Sequence, residues 1–353
     1  MFDSPAVAAD ALAQWFEPPL AQAVAEGLVP ALVLYPSTAA PAKGATRLGG
    51  TPDAPEGFVW PRPTEAIDAN EAAKLSHPDT AKELREHLAR KLPFAFMAQI
   101  DLAEAARLGS VAASLPDQGR LLFFYDNAIG PWDTGTRTAK VLWDRSPREA
   151  LQTVPMPPDL AEAARADREQ MASVEAEFGE QAADGDERGS VYGAPARAKT
   201  LQLSYRLPDP ASVEFERLPA DLLAGSQDLS GQGPAARLFN RYTKAMQKHH
   251  DQYPEESWRR QQLLGAPLPE QDDPRYGAVV VTGWQQQHLS REQWQAHRDE
   301  IMRRAHDWVL LLQVDMKDWM QAPYVEGSVY FVIQRDDLAQ RRFDKVVAVY
   351  QQT

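Results

Sequence analysis

Two short segments carry the side chains best suited to chemistry. Gln99 and Asp101 lie two apart in Phe96-Met97-Ala98-Gln99-Ile100-Asp101-Leu102. Gln313 and Asp315 lie two apart in Leu310-Leu311-Leu312-Gln313-Val314-Asp315-Met316. Residues two apart on a strand point to one face, so each segment presents an amide and a carboxylate together. Two such strands facing one another would bring both carboxylates into one cleft, where they could exchange protons with a ligand. The same residues serve structure equally well. Asp101 stands before Leu102-Ala103-Glu104-Ala105-Ala106 as a helix N-cap would.

Other polar clusters extend this candidate binding cleft. Gln271-Asp272-Asp273-Pro274-Arg275 sets two carboxylates beside a proline that bends the chain. Adjacent carboxylates offer far fewer oxygens than a hard cation takes, so a turn or cap role competes and no metal site is assigned. Arg47-Leu48-Gly49-Gly50 is a glycine loop with a cation beside it. It lacks the GxxxxGK[ST] spacing of a phosphate cradle, and close backbone approach accounts for Gly49 and Gly50 as well. Of the seven histidines only His249-His250-Asp251 forms a cluster, which reads as a charge partner for a helix end. No HExxH, GxSxG or GxGxxG motif occurs, so no catalytic residue and no cofactor is assigned. Trp132, Trp143, Trp284 and Trp319 are candidate interface anchors wherever they reach the surface.

Recurrent elements must position these residues. A helical N-terminal segment, 1–28, is split by Pro18 and Pro19. Leu28 to Tyr35 reads as a buried strand, and a charged helix occupies 65–91. The strand ending in Gln99-Ile100-Asp101 is followed by a second one, Gly119 to Asp126. The order returns later: Leu264-Gly265-Ala266-Pro267, then the Gln313 strand, then Gly327-Ser328-Val329-Tyr330-Phe331-Val332. Gly49 precedes Gln99 by 50 positions and Gly265 precedes Gln313 by 48, which makes the three blocks an internal repeat with loops of different length. The expected organisation is a first half at 29–150, an acidic and partly flexible insertion at 151–200, and a second half at 201–353, with both halves in one compact domain.

Composition narrows the classes. The 353 residues are 44% hydrophobic and 25% charged, a globular balance. There is no cysteine, which excludes disulfides, thiolate metal sites and a cysteine nucleophile. The chain opens without a secretory signal and has no long apolar span, so a cytoplasmic location and no membrane contact are expected. A net charge of -13 repels nucleic acid and would attract a basic protein. From Asp159 to Glu187 ten acidic residues face two basic ones, the densest such stretch.

The blocks quoted above resemble those of the YwqG-like bacterial proteins. The likeness runs through Arg47 to Pro55 with Phe58-Val59-Trp60-Pro61, the Gln99 and Gly119 strands, Leu264 to Arg275, and the Gln313 to Phe331 ending. Ala266 and Leu268 depart from the second-half pattern, where a second glycine and an aromatic residue are usual. The resemblance implies an α+β fold and carries no catalytic residues. It also implies a setting near toxin genes. The expectation is therefore an α+β protein of two tandem, pseudo-symmetric strand-loop-helix-strand units. It would bind a basic protein partner, as an immunity protein does, and would not be an enzyme. The alternative is a small-ligand-binding protein or enzyme using a cleft between the halves. Oligomeric state is left open.

Overall fold

Apolar runs bounded by glycine and proline become strands, and one pair of them organises the molecule. A computed structural model describes residues 1–352 except 41, 66, 69–77, 178–187, 229–230, 252–255 and 323–324. At its centre β1 (Val29–Pro36) runs antiparallel to β8 (Arg197–Arg206). Outward from β8 follow β2 (Arg47–Leu48), β4 (Ala95–Asp101), β5 (Arg120–Tyr125) and β6 (Ala139–Asp144). Outward from β1 follow β9 (Gln262–Leu263), β10 (Trp308–Asp315), β11 (Ser328–Gln334) and β12 (Val347–Gln351). Every pair in this ten-stranded sheet is antiparallel. Its two edges approach each other where Gly135 and Ala348 exchange backbone hydrogen bonds of 3.1 and 3.0 Å, so the sheet is nearly closed. A separate ribbon pairs β3 (Asp53–Pro55) with β7 (Leu151–Thr153).

Alternation along each strand builds an inner core and two outer layers. Leu121, Phe123 and Tyr125 of β5 face inward with Val329, Phe331 and Ile333 of β11. Phe123 and Phe331 meet edge to face at 5.2 Å. Leu122 and Phe124 face outward, under Leu160 and Ala163 of α5 (Pro158–Glu177). Tyr330 and Val332 face outward under α8 (Pro274–Trp284) and α9 (Arg291–Ala305). Burial on both faces explains why these strands read as nearly continuous apolar runs.

The remaining helices cover ends and edges. The prolines divide the N-terminal segment into α1 (Pro5–Leu12) and α2 (Pro18–Glu26), which pack with α6 (Ala220–Gln227) and α7 (Pro234–Lys248) around Leu207. Short helices follow three of the strands: α4 (Leu102–Ala106), α10 (Met316–Met320) and α11 (Arg335–Ala339). Of the charged segment at 65–91, the described helix is α3 (Pro78–Arg90). The described residues thus form a mixed α+β architecture with eleven helices. The sheet draws strands from all three of the expected segments, from Val29 to Gln351, with β8 crossing the boundary at residue 200. The acidic run is helical as far as Glu177, and its continuation, 178–187, lies outside the described residues.

Candidate functional site

The first Gln-x-Asp strand spends its polar groups on its own neighbourhood. Gln99 is fully buried: its Oε1 accepts the Asp53 N–H at 2.9 Å and its Nε2 donates to the Ala45 carbonyl at 2.9 Å. Arg47 pairs with Asp53 at 2.7 Å and also donates to the Thr51 carbonyl. Burial works against the Asp53 charge, but hydrogen bonds from Arg47 and the Gly44 N–H outweigh it and hold this carboxyl at about 2. Asp101 caps α4 by accepting the Ala103 N–H at 3.1 Å, and Arg148 pairs with it from outside. Gly49 and Gly50 both have positive φ, 62° and 71°, and turn the chain away from β2.

The second strand does the same work. Gln313 accepts the Leu268 N–H at 3.0 Å and donates to the Leu268 carbonyl at 3.2 Å. Asp315 caps α10 by accepting the Asp318 N–H at 2.9 Å and faces Arg260 at 3.4 Å. Burial pushes the Asp315 carboxyl up to about 6. Asp273 caps α8 with Pro274 in its first turn, accepting the N–H groups of Arg275 and Val213. The buried Arg275 guanidinium bonds both Asp273 and Glu214. Burial alone would lower its pKa, and those two carboxylates more than reverse this. Asp272 is exposed at the surface. Among the described residues no group of three or more histidines and carboxylates is placed to hold a metal ion.

These residues do not share one cleft. Both Gln-x-Asp pairs are bonded to nearby backbone, and neither pair lines the cavity beside Trp132 and His87. A buried amide must satisfy its donors and acceptors, and these do so locally, leaving no group to offer a ligand. Of the expected cleft residues, Gln271 alone lines that cavity. Trp319 is corrected as an interface anchor, because it is fully buried and its indole N–H donates to the Met97 carbonyl at 2.9 Å. Trp143 and Trp284 are half-buried beside Arg145 and Arg304, and Trp132 borders the cavity.

The cavity lies beside the seam where the sheet nearly closes, and its volume is about 720 Å³. One wall comes from α3, the loop after β5, α5 and the segment before β8; the other comes from Gln271, His288 and the end of β12. Gln287 locks the seam, exchanging hydrogen bonds with Thr134 at 2.8 and 3.0 Å. In the first wall the buried His87 places Nε2 at 2.9 and 3.0 Å from the two Asp126 oxygens. An ionised carboxylate only accepts, so Nε2 donates to Asp126, and Nδ1 lies 3.4 Å from the Tyr192 hydroxyl. Asp126 is itself held by the N–H groups of Ala128 and Ile129. Burial raises the pKa of Tyr192 and of Asp167, which also borders the cavity.

Sequence reasoning passed over this wall. His87 was one histidine among seven, and Asp126 was the last residue of a strand. One signal was present: His87 falls between Leu84 and Leu88 on the apolar face of α3, where a titratable group needs a partner. Its partner came from 39 positions away.

Comparison with known proteins places the chain in a family. It matches the family described as Domain of unknown function (DUF1963) over residues 46–351, nearly its whole length, and it belongs to that family. No curated protein matches it significantly.

Proposed function

We propose that this member of the DUF1963 family is a small-molecule-binding protein whose ligand occupies the cavity at the seam. One observation carries the reading: a cavity of about 720 Å³ draws its walls from both ends of the sheet and has in its wall His87, oriented by the Asp126 carboxylate behind it. That volume lies within the range typical of ligand pockets. Asp126 holds the His87 ring in place, with Nδ1 turned toward the Tyr192 hydroxyl. The test is a thermal-shift screen of polar metabolites, followed by fluorescence titration reporting on Trp132. A ligand that raises the melting temperature and perturbs Trp132 supports the reading. Ligands that stabilise the protein without touching Trp132 or His87 would place binding elsewhere.

Two further readings accompany it. The halves are read as two copies of one unit, and the chain as YwqG-like. The support is the strand order outward from β1 and β8, and the register shifts between Phe96 and Ala98 and between Leu310 and Leu312, each just before the buried glutamine. The second reading keeps the cytoplasmic setting and replaces the small ligand with a basic protein, as an immunity protein would require. Glu83, Glu86 and Asp167 border the same cavity, and the net charge of -13 favours such a partner. Capture of a basic protein whose association rate falls with added salt would favour this reading over the small ligand.

A further inference from the structure

Two opposite charges stand apart in the wall of the cavity. Arg90, in the last turn of α3, lies over the Tyr192 ring with its guanidinium carbon 6.0 Å from the ring centre. Asp167, on α5, accepts one hydrogen bond, from the Val191 N–H at 3.2 Å. Neither lies within ion-pair distance of the other or of another described residue, and Arg168 and Arg188 act on Asp167 from farther away. Both border the same cavity, and both act on the Tyr192 hydroxyl, the cation favouring its ionisation and the anion opposing it. A cation and an anion held apart around one aromatic ring complement a ligand that carries both charges.

We propose that the ligand is a small zwitterion of the amino-acid or short-peptide class, with its carboxylate on Arg90 and its ammonium on Asp167. This rests on the reading of the cavity as a small-molecule site. A guanidinium matches a carboxylate through two parallel hydrogen bonds. The half-buried carboxylate of Asp167 gains an ion pair it lacks, and an arriving ammonium offsets the burial that raises its pKa. Trp132, Leu84 and Val191 border the remaining space and can take an apolar side chain. Ligands with a single charge would leave either Arg90 or Asp167 unmatched.

The experiment is calorimetric titration of the full chain with free amino acids and dipeptides, alongside their N-acetyl and C-amide forms. A zwitterion is expected to bind, and each capped form to bind about ten- to a hundredfold more weakly, as the loss of one charge-assisted contact predicts. Arg90→Gln should abolish the preference for the free carboxylate and keep the preference for the free amine. Asp167→Asn should do the reverse, and its amide oxygen can still accept the Val191 N–H. Zwitterion binding that ignores both variants overturns the assignment. Neutral or singly charged molecules that bind at Trp132 where zwitterions do not would overturn the ligand class and leave the cavity reading standing. If no probe of any class binds, both fall.

Discussion

The surroundings of Gln99 and Gln313 reach one backbone solution with different chemistry. In the first half, Arg47 stands opposite Gln99 across the strand pair, and in the second, Gln262 stands opposite Gln313. Arg47 needs a buried counter-ion and finds Asp53. Gln262 needs none: its amide accepts from Arg206 at 2.6 Å and donates to the Ala266 carbonyl at 2.5 Å. The capping aspartates differ in the opposite sense. The Arg148 side chain paired with Asp101 is 53% exposed, whereas the Arg260 side chain beside Asp315 is 6% exposed and also pairs with Glu270 at 2.5 Å. Each glutamine faces a short strand and each aspartate caps a helix, but the placement of charge differs, and the two regions should answer differently to mutation and to pH.

Removing Arg260 tests the buried side of this contrast most severely. Arg260→Met leaves Asp315 and Glu270 buried without their cation, and such a loss costs about 3–5 kcal/mol. Urea denaturation should show it as a lower midpoint at unchanged slope. A loss below about 1 kcal/mol would mean that these carboxylates are solvated, and the contrast with Asp101 would collapse.

Acid titration separates the halves by sign. Asp315 titrates at about 6 in the folded chain against an ordinary 3.8, so between those values the folded state holds a proton that the unfolded chain has released. Stability therefore falls as pH rises through that window, by up to about 3 kcal/mol. Asp53 titrates at about 2 against 3.8, so its contribution is present above 3.8 and is lost as pH falls toward 2. Stability measured across pH should keep the upper limb and lose the lower one in Asp53→Asn, and the reverse in Asp315→Asn. If both variants flatten the same limb, the difference between the halves is not electrostatic.

Glycine substitutions sharpen the backbone side of the comparison. Gly50 has φ 71° and Gly265 has φ 83°. A Cβ on Gly50 would lie 2.6 Å from the Ala196 Cβ, and one on Gly265 would lie 2.6 Å from the Ala31 Cβ. Each glycine therefore presses on the chain at or beside one strand of the central pair. Gly50→Ala and Gly265→Ala should each cost about 1–3 kcal/mol, and by similar amounts. Unequal losses in thermal unfolding would count against reading the halves as copies of one unit.

Strand placement was legible because burial on both faces leaves long apolar runs, and a polar Gln-x-Asp ends two of them. Two prolines were equally readable: Pro18 opens α2, and Pro274 follows the cap of α8. The blocks that read as a repeat align in two ways. Sequence likeness aligns Gly49 with Gly265, whereas counting from the paired glutamines sets Gly50 against Gly265 and Gly49 against Leu264, which adopts φ 59° despite its side chain. Conformation there is imposed by the surrounding sheet, so residue type is a poor guide. The candidate site was not legible, because His87, Asp126, Asp167 and Tyr192 come from four separate elements or connections that lie far apart in the sequence. The Gln-x-Asp pairs misled for a physical reason, since buried polar groups serve the backbone before they serve a ligand.

The smallest expected effect belongs to the open side of the contrast. Arg148 reaches Asp101 from a 53% exposed position, and Asp101 keeps its capping bond to Ala103 whether or not the cation is present. Coulomb attraction at such a site is weakened by water and by the entropy of fixing a long side chain. Arg148→Met should therefore cost less than about 1 kcal/mol. That small loss should shrink further in high salt, because exposed charges are screened within about 3 Å at molar ionic strength. The buried Arg260 pair should respond little to the same salt, since solvent ions do not enter between its members. Denaturation of Arg148→Met and Arg260→Met at low and high salt measures both responses together. A large, salt-insensitive loss at Arg148 would show that Asp101 depends on its cation as much as Asp315 does, and the two capping aspartates would then be electrostatically alike.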